Sequence, residues 1–389
     1  MKLANRMSRL GTETAFEVLA RAKALEATGV DVIHLEIGEP DFDTPSNITD
    51  AAVNALHEGY THYCPSPGIP ELREVIASHV TRTRGVPVSA DQVVVTPGGK
   101  PIMFFAITAL VDEGDEVIYP NPGFPIYESM IEFVGGVAVP APLQEERAFS
   151  LDVDDLRRRI TSRTKMLILN SPQNPTGGVI PRADVEAIAS LVLEHDLIVL
   201  SDEIYSEMIY DGDHFSITSL PGLAERTIIL DGFSKTCART GWRMGYGVMP
   251  ADLVPHISRL VTNSVSCTPP FIQRAGIEAL TGPRERVDEM MGEFRKRRQI
   301  IVDGLNRIPG ISCVNPAGAF YAFPNVTGVG VDSKTFADLL LNEYGVATLS
   351  GTAFGVHGNG YLRLSYANSV ANLERALERI EKAARHLRK

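Results

Sequence analysis

The chain has 389 residues, enough for two or three domains, and 44% of it is hydrophobic, which supplies large buried cores. A formal net charge of −11 without a long basic run argues against nucleic acid and anionic membranes as partners, so an anionic ligand must be met by locally placed groups. The four cysteines, Cys64, Cys237, Cys267 and Cys313, form no CxxC pair and no metal-ligand spacing with histidine, which argues against a disulfide framework and against zinc; no metal is expected. Cys237 lies two residues from Lys235 and is either a packed thiol or a reactive one. The N-terminus lacks a signal-peptide apolar region, and the longest apolar run, Ile102 to Val111, is too short to span a bilayer, so a cytoplasmic location is expected.

Thr12 to Thr28 carries Ala15, Phe16, Leu19, Ala22 and Leu25 at close to helical spacing and ends at Gly29, which predicts an amphipathic helix with a glycine C′ residue. Asp31 to Ile37 alternates as a short strand, and Gly38 to Pro45 breaks it into a loop that leads to a helix capped by Ser46. Gly38 is a candidate substrate contact or, equally, a glycine needed only for the turn. Tyr60 to Gly68 is rich in turn formers and precedes a helix over 70–83. Gln92 to Thr96 reads as a strand. Gly98, Gly99 and Lys100 then lead into an apolar helix from Ile102 to Val111, with Pro101 in its first turn. Two glycines before a helix start expose consecutive backbone N–H groups at the positive end of the helix dipole, which suits a phosphate.

Strands follow at 115–119, 137–140, 165–170, 197–202 and 227–230, with helical patterns between them. This alternation predicts a parallel sheet covered on both faces. From Ala251 onward helical patterns dominate. Residues 278–305 read as one long helix linking two lobes, 318–323 and 345–350 as a short sheet, and 369–388 as a terminal helix.

Lys235 follows the β-branched apolar run Thr227–Leu230 and so emerges just past the carboxyl end of a buried strand, where open α/β sheets place their ligand sites. It stands in an ordered set: Asn170-Ser-Pro-Gln-Asn174-Pro-Thr-Gly177, Ser201-Asp202-Glu-Ile-Tyr205, Lys235 with Arg243, and Tyr361-Leu-Arg363-Leu-Ser-Tyr366. This set resembles the class I/II, fold-type I aminotransferases that use pyridoxal 5′-phosphate (PLP), in particular their bacterial and archaeal aspartate aminotransferase subgroup. The resemblance covers nearly the whole chain. It implies an α/β fold with a central, mostly parallel seven-stranded sheet flanked by helices, plus a smaller α+β domain. Residues 1–45 are expected to join the small domain, 46–285 to form the large PLP-binding domain, and 286–389 to form the small C-terminal domain. A homodimer with shared active sites is also implied, because Tyr63 matches a tyrosine that reaches the cofactor phosphate of the other subunit.

The chemistry accounts for the residue types. A primary amine holds an aldehyde cofactor as a Schiff base and exchanges it for the substrate amine, which frees the lysine to act as a base. Lys235 is the candidate, and it needs a pKa well below that of free lysine, which desolvation or a neighbouring cation supplies. A buried carboxylate keeps a pyridine nitrogen protonated. Asp202 takes that role, or is an ordinary helix cap. The resemblance further implies that Tyr205 and Asn174 hydrogen-bond the cofactor's phenolic oxygen and that Phe124 stacks on its ring. Its phosphate is then held by Ser234, Arg243 and the backbone of Gly98, Gly99 and Lys100. Arg363 forks onto the substrate α-carboxylate, a pairing lysine cannot reproduce, or else forms a surface ion pair. Gly232 departs from a serine with which many relatives bind phosphate.

The expected reaction moves an amino group from an L-amino acid, with aspartate and glutamate among the options, to a 2-oxo acid such as 2-oxoglutarate, in a ping-pong sequence through a Lys235 aldimine. Lys100 matches a lysine that meets the distal carboxylate of a dicarboxylic substrate. Relatives in that subgroup place small hydroxyl residues of the N-terminal helix near the substrate, whereas Phe16, Glu17 and Val18 stand in that region here. An apolar side chain and an added acid disfavour a second carboxylate and leave alanine or aromatic donors open. A PLP-dependent carbon–sulfur β-lyase would keep the same lysine, aspartate and arginine and is the alternative. A non-catalytic PLP-sensing regulator ranks last, because the fold is expected to begin within the first dozen residues.

Overall fold

The structure, a computed structural model, describes residues 1–388. The chain enters through α1 (Thr14–Glu26), a two-residue strand β1 (Ile33–His34), α2 (Ser46–His57) and α3 (Pro70–Arg84). A central sheet follows, from β2 (Val93–Thr96), β3 (Glu116–Asn121), β4 (Val137–Gln144), β5 (Ser150–Leu151), β6 (Thr164–Asn170), β7 (Ile198–Asp202), β8 (Thr227–Gly232) and β9 (Gly245–Val248). Helices α4 (Lys100–Leu110), α5 (Ile126–Val134), α6 (Val153–Arg159) and α7 (Arg182–Glu194) lie between these strands in sequence. The remainder is mostly helical: α8 (Val254–Ser264), α9 (Pro270–Thr281), α10 (Glu285–Asn306), α11 (Ser333–Tyr344) and α12 (Val370–Leu387), with short strands β10 (Tyr321–Ala322), β11 (Val346–Ala347), β12 (Leu349–Ser350) and β13 (Leu362–Ser365). No helix among the described residues is long and apolar enough to cross a membrane.

The spatial order of the central sheet is β2-β9-β8-β7-β6-β3-β4-β5. It has eight strands where seven were expected. The addition is β5, a two-residue strand antiparallel to β4 at one edge. Like β5, β9 is absent from the sequence reading; it runs antiparallel to both β2 and β8. Its Gly-Tyr-Gly-Val sequence gives only a two-residue apolar alternation, Tyr246 and Val248, because the glycines between them serve packing. A Cβ on Gly245 would lie 2.5 Å from Gly99 N, and one on Gly247 would lie 2.8 Å from Ile102 Cγ2.

Period-two alternation divides the apolar residues of each inner strand between the two faces. Val94, Val117, Met166, Ile168, Leu200 and Leu230 join one core with α4, α5 and α8. Ile118, Leu167, Leu169 and Val199 face α7 on the opposite side, and Val93, Val95 and Ile229 face α2, α3 and α9. Runs apolar on both faces are the expected signature of a buried parallel sheet.

A further core joins Ile33 and Leu35 to α10, α11 and α12. There β1 pairs in parallel with β11, and β13 is the centre of a three-stranded antiparallel sheet with β10 and β12. Three local expectations are corrected. The strand over 31–37 shrinks to Ile33–His34. Ser46 is the first helical residue of α2 rather than its cap; Pro45 occupies the cap position and makes no side-chain cap bond. The long helix over 278–305 is two helices, because Gly282 ends α9 and Pro283 cannot continue it.

Candidate active site

A cavity of about 550 Å³ opens at the carboxyl ends of β6, β7 and β8, within the range of small-ligand sites. Every residue proposed from the sequence to touch cofactor or substrate lines it except Gly98, which adjoins it, and Tyr63. Tyr63 is 89% exposed and lies elsewhere on the surface.

Lys235 projects from the turn after β8, and its Nζ donates to the Gly38 carbonyl at 2.6 Å. Burial lowers its pKa to about 8, with Arg363 contributing in the same direction. Gly38 is required by a close approach: a Cβ there would lie 2.1 Å from Tyr321 Oη. Asp202 ends β7, and no helix starts there, so the cap reading fails. Its carboxylate accepts from Tyr127 Oη at 2.6 Å and from the Ile204 N–H at 3.3 Å. Burial nonetheless pushes its pKa up to about 6. A cation facing this acid would restore its ordinary ionisation.

Tyr205 Oη lies 2.7 Å from Tyr321 Oη, the two rings meeting edge to face. Asn170, at the end of β6, staples the following loop: its amide donates to the Asp202 carbonyl at 3.1 Å, and its Oδ1 accepts from Asn174 N at 3.0 Å. The Asn174 side chain thereby reaches the cavity, where its Oδ1 accepts from Arg363 Nη1 at 3.3 Å. Arg363 lies at the middle of the small sheet on β13 and is 4% exposed, so it is not a surface ion pair. Its Nη2 donates to the Glu36 carbonyl, and its guanidinium lies over the rings of Tyr321 and Phe354. Its Nε is buried without a partner among the described residues, and burial pushes its pKa down. A buried guanidinium with a free N–H edge is built to receive a carboxylate.

The end of the cavity beside α4 is shaped by missing side chains. Gly98 has φ +89°, and a Cβ on it would fall 2.2 Å from Arg243 Nη2. One on Gly99 would meet Leu230 Cδ2 at 2.9 Å. The start of α4 therefore sits directly against Arg243, with buried Ser234 at the same end of the cavity. Gly232 has a packing cause, since a Cβ there would lie 2.9 Å from Gly245 Cα in β9. A serine at that position requires β9 to move.

Phe124 lines the cavity, edge to face with Tyr127 at 5.6 Å between ring centroids. Lys100 extends to the mouth, where it pairs with Glu13 and lies 5.2 Å from the Phe124 centroid. From the N-terminal helix, Ala15 and Phe16 line the mouth. Phe16 is 60% exposed rather than part of a core face, Val18 is buried behind the helix, and Glu17 faces outward. Cys237 is 3% exposed with its thiol raised to about 11 by burial, so it is a packed thiol.

The sequence reading missed Tyr127, Tyr321 and Glu13. Tyr321 fell within a segment read only as sheet, and nothing local connects Glu13 to a lysine 87 residues away.

The cradle that Cβ atoms would fill, a helix N-terminus, Arg243 and Ser234 suit a phosphate. A buried acid and a lysine of lowered pKa suit a pyridine ring bearing an aldehyde. Fold and site together define a PLP-dependent enzyme of fold type I. Residues 30–380 match the sequence profile described as aminotransferase class I and II, and the chain belongs to that family. It is 43% identical over 359 residues to an aspartate aminotransferase of Pyrococcus abyssi, covering 91% of this chain and 92% of that one. It is 39% identical to the aromatic-amino-acid aminotransferase 2 of Thermococcus litoralis, over 98% of each chain. The solved aspartate aminotransferase of Thermus thermophilus with maleate superposes with a TM-score of 0.95 at 39% identity, covering 98% of this chain and all of that one. The protein is a transaminase.

Proposed function

We propose that the enzyme moves the amino group of an L-amino acid to a 2-oxo acid such as 2-oxoglutarate in two half-reactions, with Lys235 as the exchanging amine and the proton carrier. The observation that carries this reading is one cavity that brings a lysine of pKa about 8 together with a buried arginine whose Nε is free. Arg363 receives the substrate α-carboxylate and turns the Cα–H toward Lys235. Lys235, substantially neutral near pH 8, takes that proton and returns it. PLP, when bound, supplies the electron sink for the departing proton's bond pair.

The other residues position that group. Asp202, steadied by Tyr127, holds the ring nitrogen's proton, and Tyr205 and Asn174 donate toward the phenolic oxygen. Phe124 packs on the ring, while Ser234, Arg243 and the backbone at Gly98, Gly99 and Lys100 hold the phosphate. Tyr63 reaches the phosphate of a second copy in a homodimer, which accounts for a tyrosine left 89% exposed on one chain. We assign residues 1–45 and 286–389 to a small domain, 46–285 to the PLP-binding domain, and the working enzyme to the cytoplasm.

The test supplies single amino donors to the PLP-loaded enzyme without an acceptor. Oxo acid should form stoichiometrically with enzyme and then stop, and added 2-oxoglutarate should restart it with formation of glutamate. Continuous release of ammonia or thiol without an acceptor would instead establish the β-lyase. Sedimentation equilibrium of the wild type and retention of PLP in Tyr63→Phe test the shared site.

A further inference from the structure

The mouth of the cavity holds a cation that is already paired. Lys100, in the first turn of α4, and Glu13, at the cap position of α1, meet across the opening. Their side chains are 48% and 19% exposed, so water screens the pair and opening it costs little. Around it stand apolar groups, Ala15, Phe16 and Phe124, with the lysine lying over the Phe124 ring. The mouth thus offers an apolar collar and a lysine whose charge is neutralised by the protein itself.

A two-half-reaction enzyme must accept both of its substrates in this one pocket, a consequence that rests on the function proposed above. An acidic side chain needs a cation at the mouth, whereas an uncharged one is opposed by a free cation that would lose its hydration beneath it. From this geometry we infer that Glu13 is a specificity-determining residue that acts as a latch on Lys100. With an apolar or aromatic side chain bound, the Glu13–Lys100 pair stays closed. With a dicarboxylic ligand bound, the distal carboxylate displaces Glu13 and takes Lys100. The substrate class is accordingly mixed: uncharged amino donors and dicarboxylic oxo acids.

The test is calorimetric binding to the PLP-loaded enzyme of two ligands that carry no amino or oxo group, succinate and 3-phenylpropanoate. In Glu13→Gln, succinate should bind roughly fivefold more tightly because its competitor is gone, while 3-phenylpropanoate changes by less than about twofold. In Lys100→Met, succinate should weaken roughly tenfold or more and 3-phenylpropanoate should again hold within about twofold. Equal changes in both ligands, or unchanged succinate binding in Glu13→Gln, would overturn the latch. Neither ligand reacts, so these results stand apart from the transfer assay: loss of the latch leaves transamination intact, and absence of transamination leaves the binding selectivity readable.

Discussion

The floor and the mouth of the cavity use charge in opposite regimes. On the floor, burial raises Asp202 to about 6 and lowers Lys235 to about 8, so proton affinities are displaced toward neutrality. At the mouth, Lys100 and Glu13 pair while keeping contact with water, which screens their attraction. The difference teaches that desolvation shifts proton affinities, whereas hydration leaves a charge pair screened and easily opened. Behind the floor lies a third group in which one cation serves two buried acids, with burial pushing Asp231 up to about 7. Arg84 of α3 donates to Glu203 at 2.7 Å, to Asp231 at 2.6 Å and to Ser206 at 2.8 Å, which ties together the ends of β7 and β8.

The largest expected effect is at the floor. Lys235→Ala should lower single-turnover oxo acid formation roughly a thousandfold or more, and a loss within tenfold would place the base elsewhere. Next comes Arg84→Met, which leaves Asp231 buried without its cation and Glu203 with only His214, 3.0 Å away. It should cost about 3–5 kcal/mol in urea unfolding of the cofactor-free protein, and a value near 1 would mean that water enters the cluster.

Tyr127→Phe removes the closest donor to Asp202 while keeping the ring. The Asp202 pKa should then rise above about 6 in the cofactor-free protein. With PLP bound, the acid limb of transfer rate against pH should move upward by roughly one unit, and an unmoved limb would detach it from Asp202.

A further prediction concerns the lysine itself in the cofactor-free protein. Its pKa is depressed because burial and Arg363 disfavour the cation, so acylation of Lys235 followed by mass spectrometry should titrate near 8 rather than near 10.5. Between those values the unfolded chain binds the proton and the folded chain does not, so stability rises with pH there. Lys235→Met should therefore be more stable than wild type at pH 7 and lose that advantage by about pH 10.5.

The smallest effect belongs to the hydrated pairs. Arg375→Met, which removes one of two arginines on Asp31 at the outer face, should change unfolding by within about 1 kcal/mol.

Much of this was legible in the sequence because it depends on neighbours along the chain. The run Thr227–Leu230 marks a buried strand, and Lys235 follows its end. Asn170 and Asn174 share one loop because the asparagine at the strand end staples the backbone four residues on. The helix break at Gly282-Pro283 was equally local and was overridden by the strong charge pattern on either side. By contrast, β9 was hidden because its glycines answer to Gly99 and Ile102 rather than to its own periodicity.

The sequence by itself determined six strands of the central sheet and the helical patterns between them, since these follow from residue type and short spacing, and the ordered motifs around Lys235, Asp202 and Arg363 implied the cofactor through their resemblance to a family. Tertiary structure alone decided that Glu13 closes on Lys100, that Arg84 reaches partners 119 and 147 residues away, that Tyr127 steadies Asp202, and that Gly232 admits no side chain. The physical reason is that hydrogen-bond and strand patterns repeat over a few residues. Desolvation, charge pairing and steric exclusion depend on atoms that approach only after the chain has closed on itself.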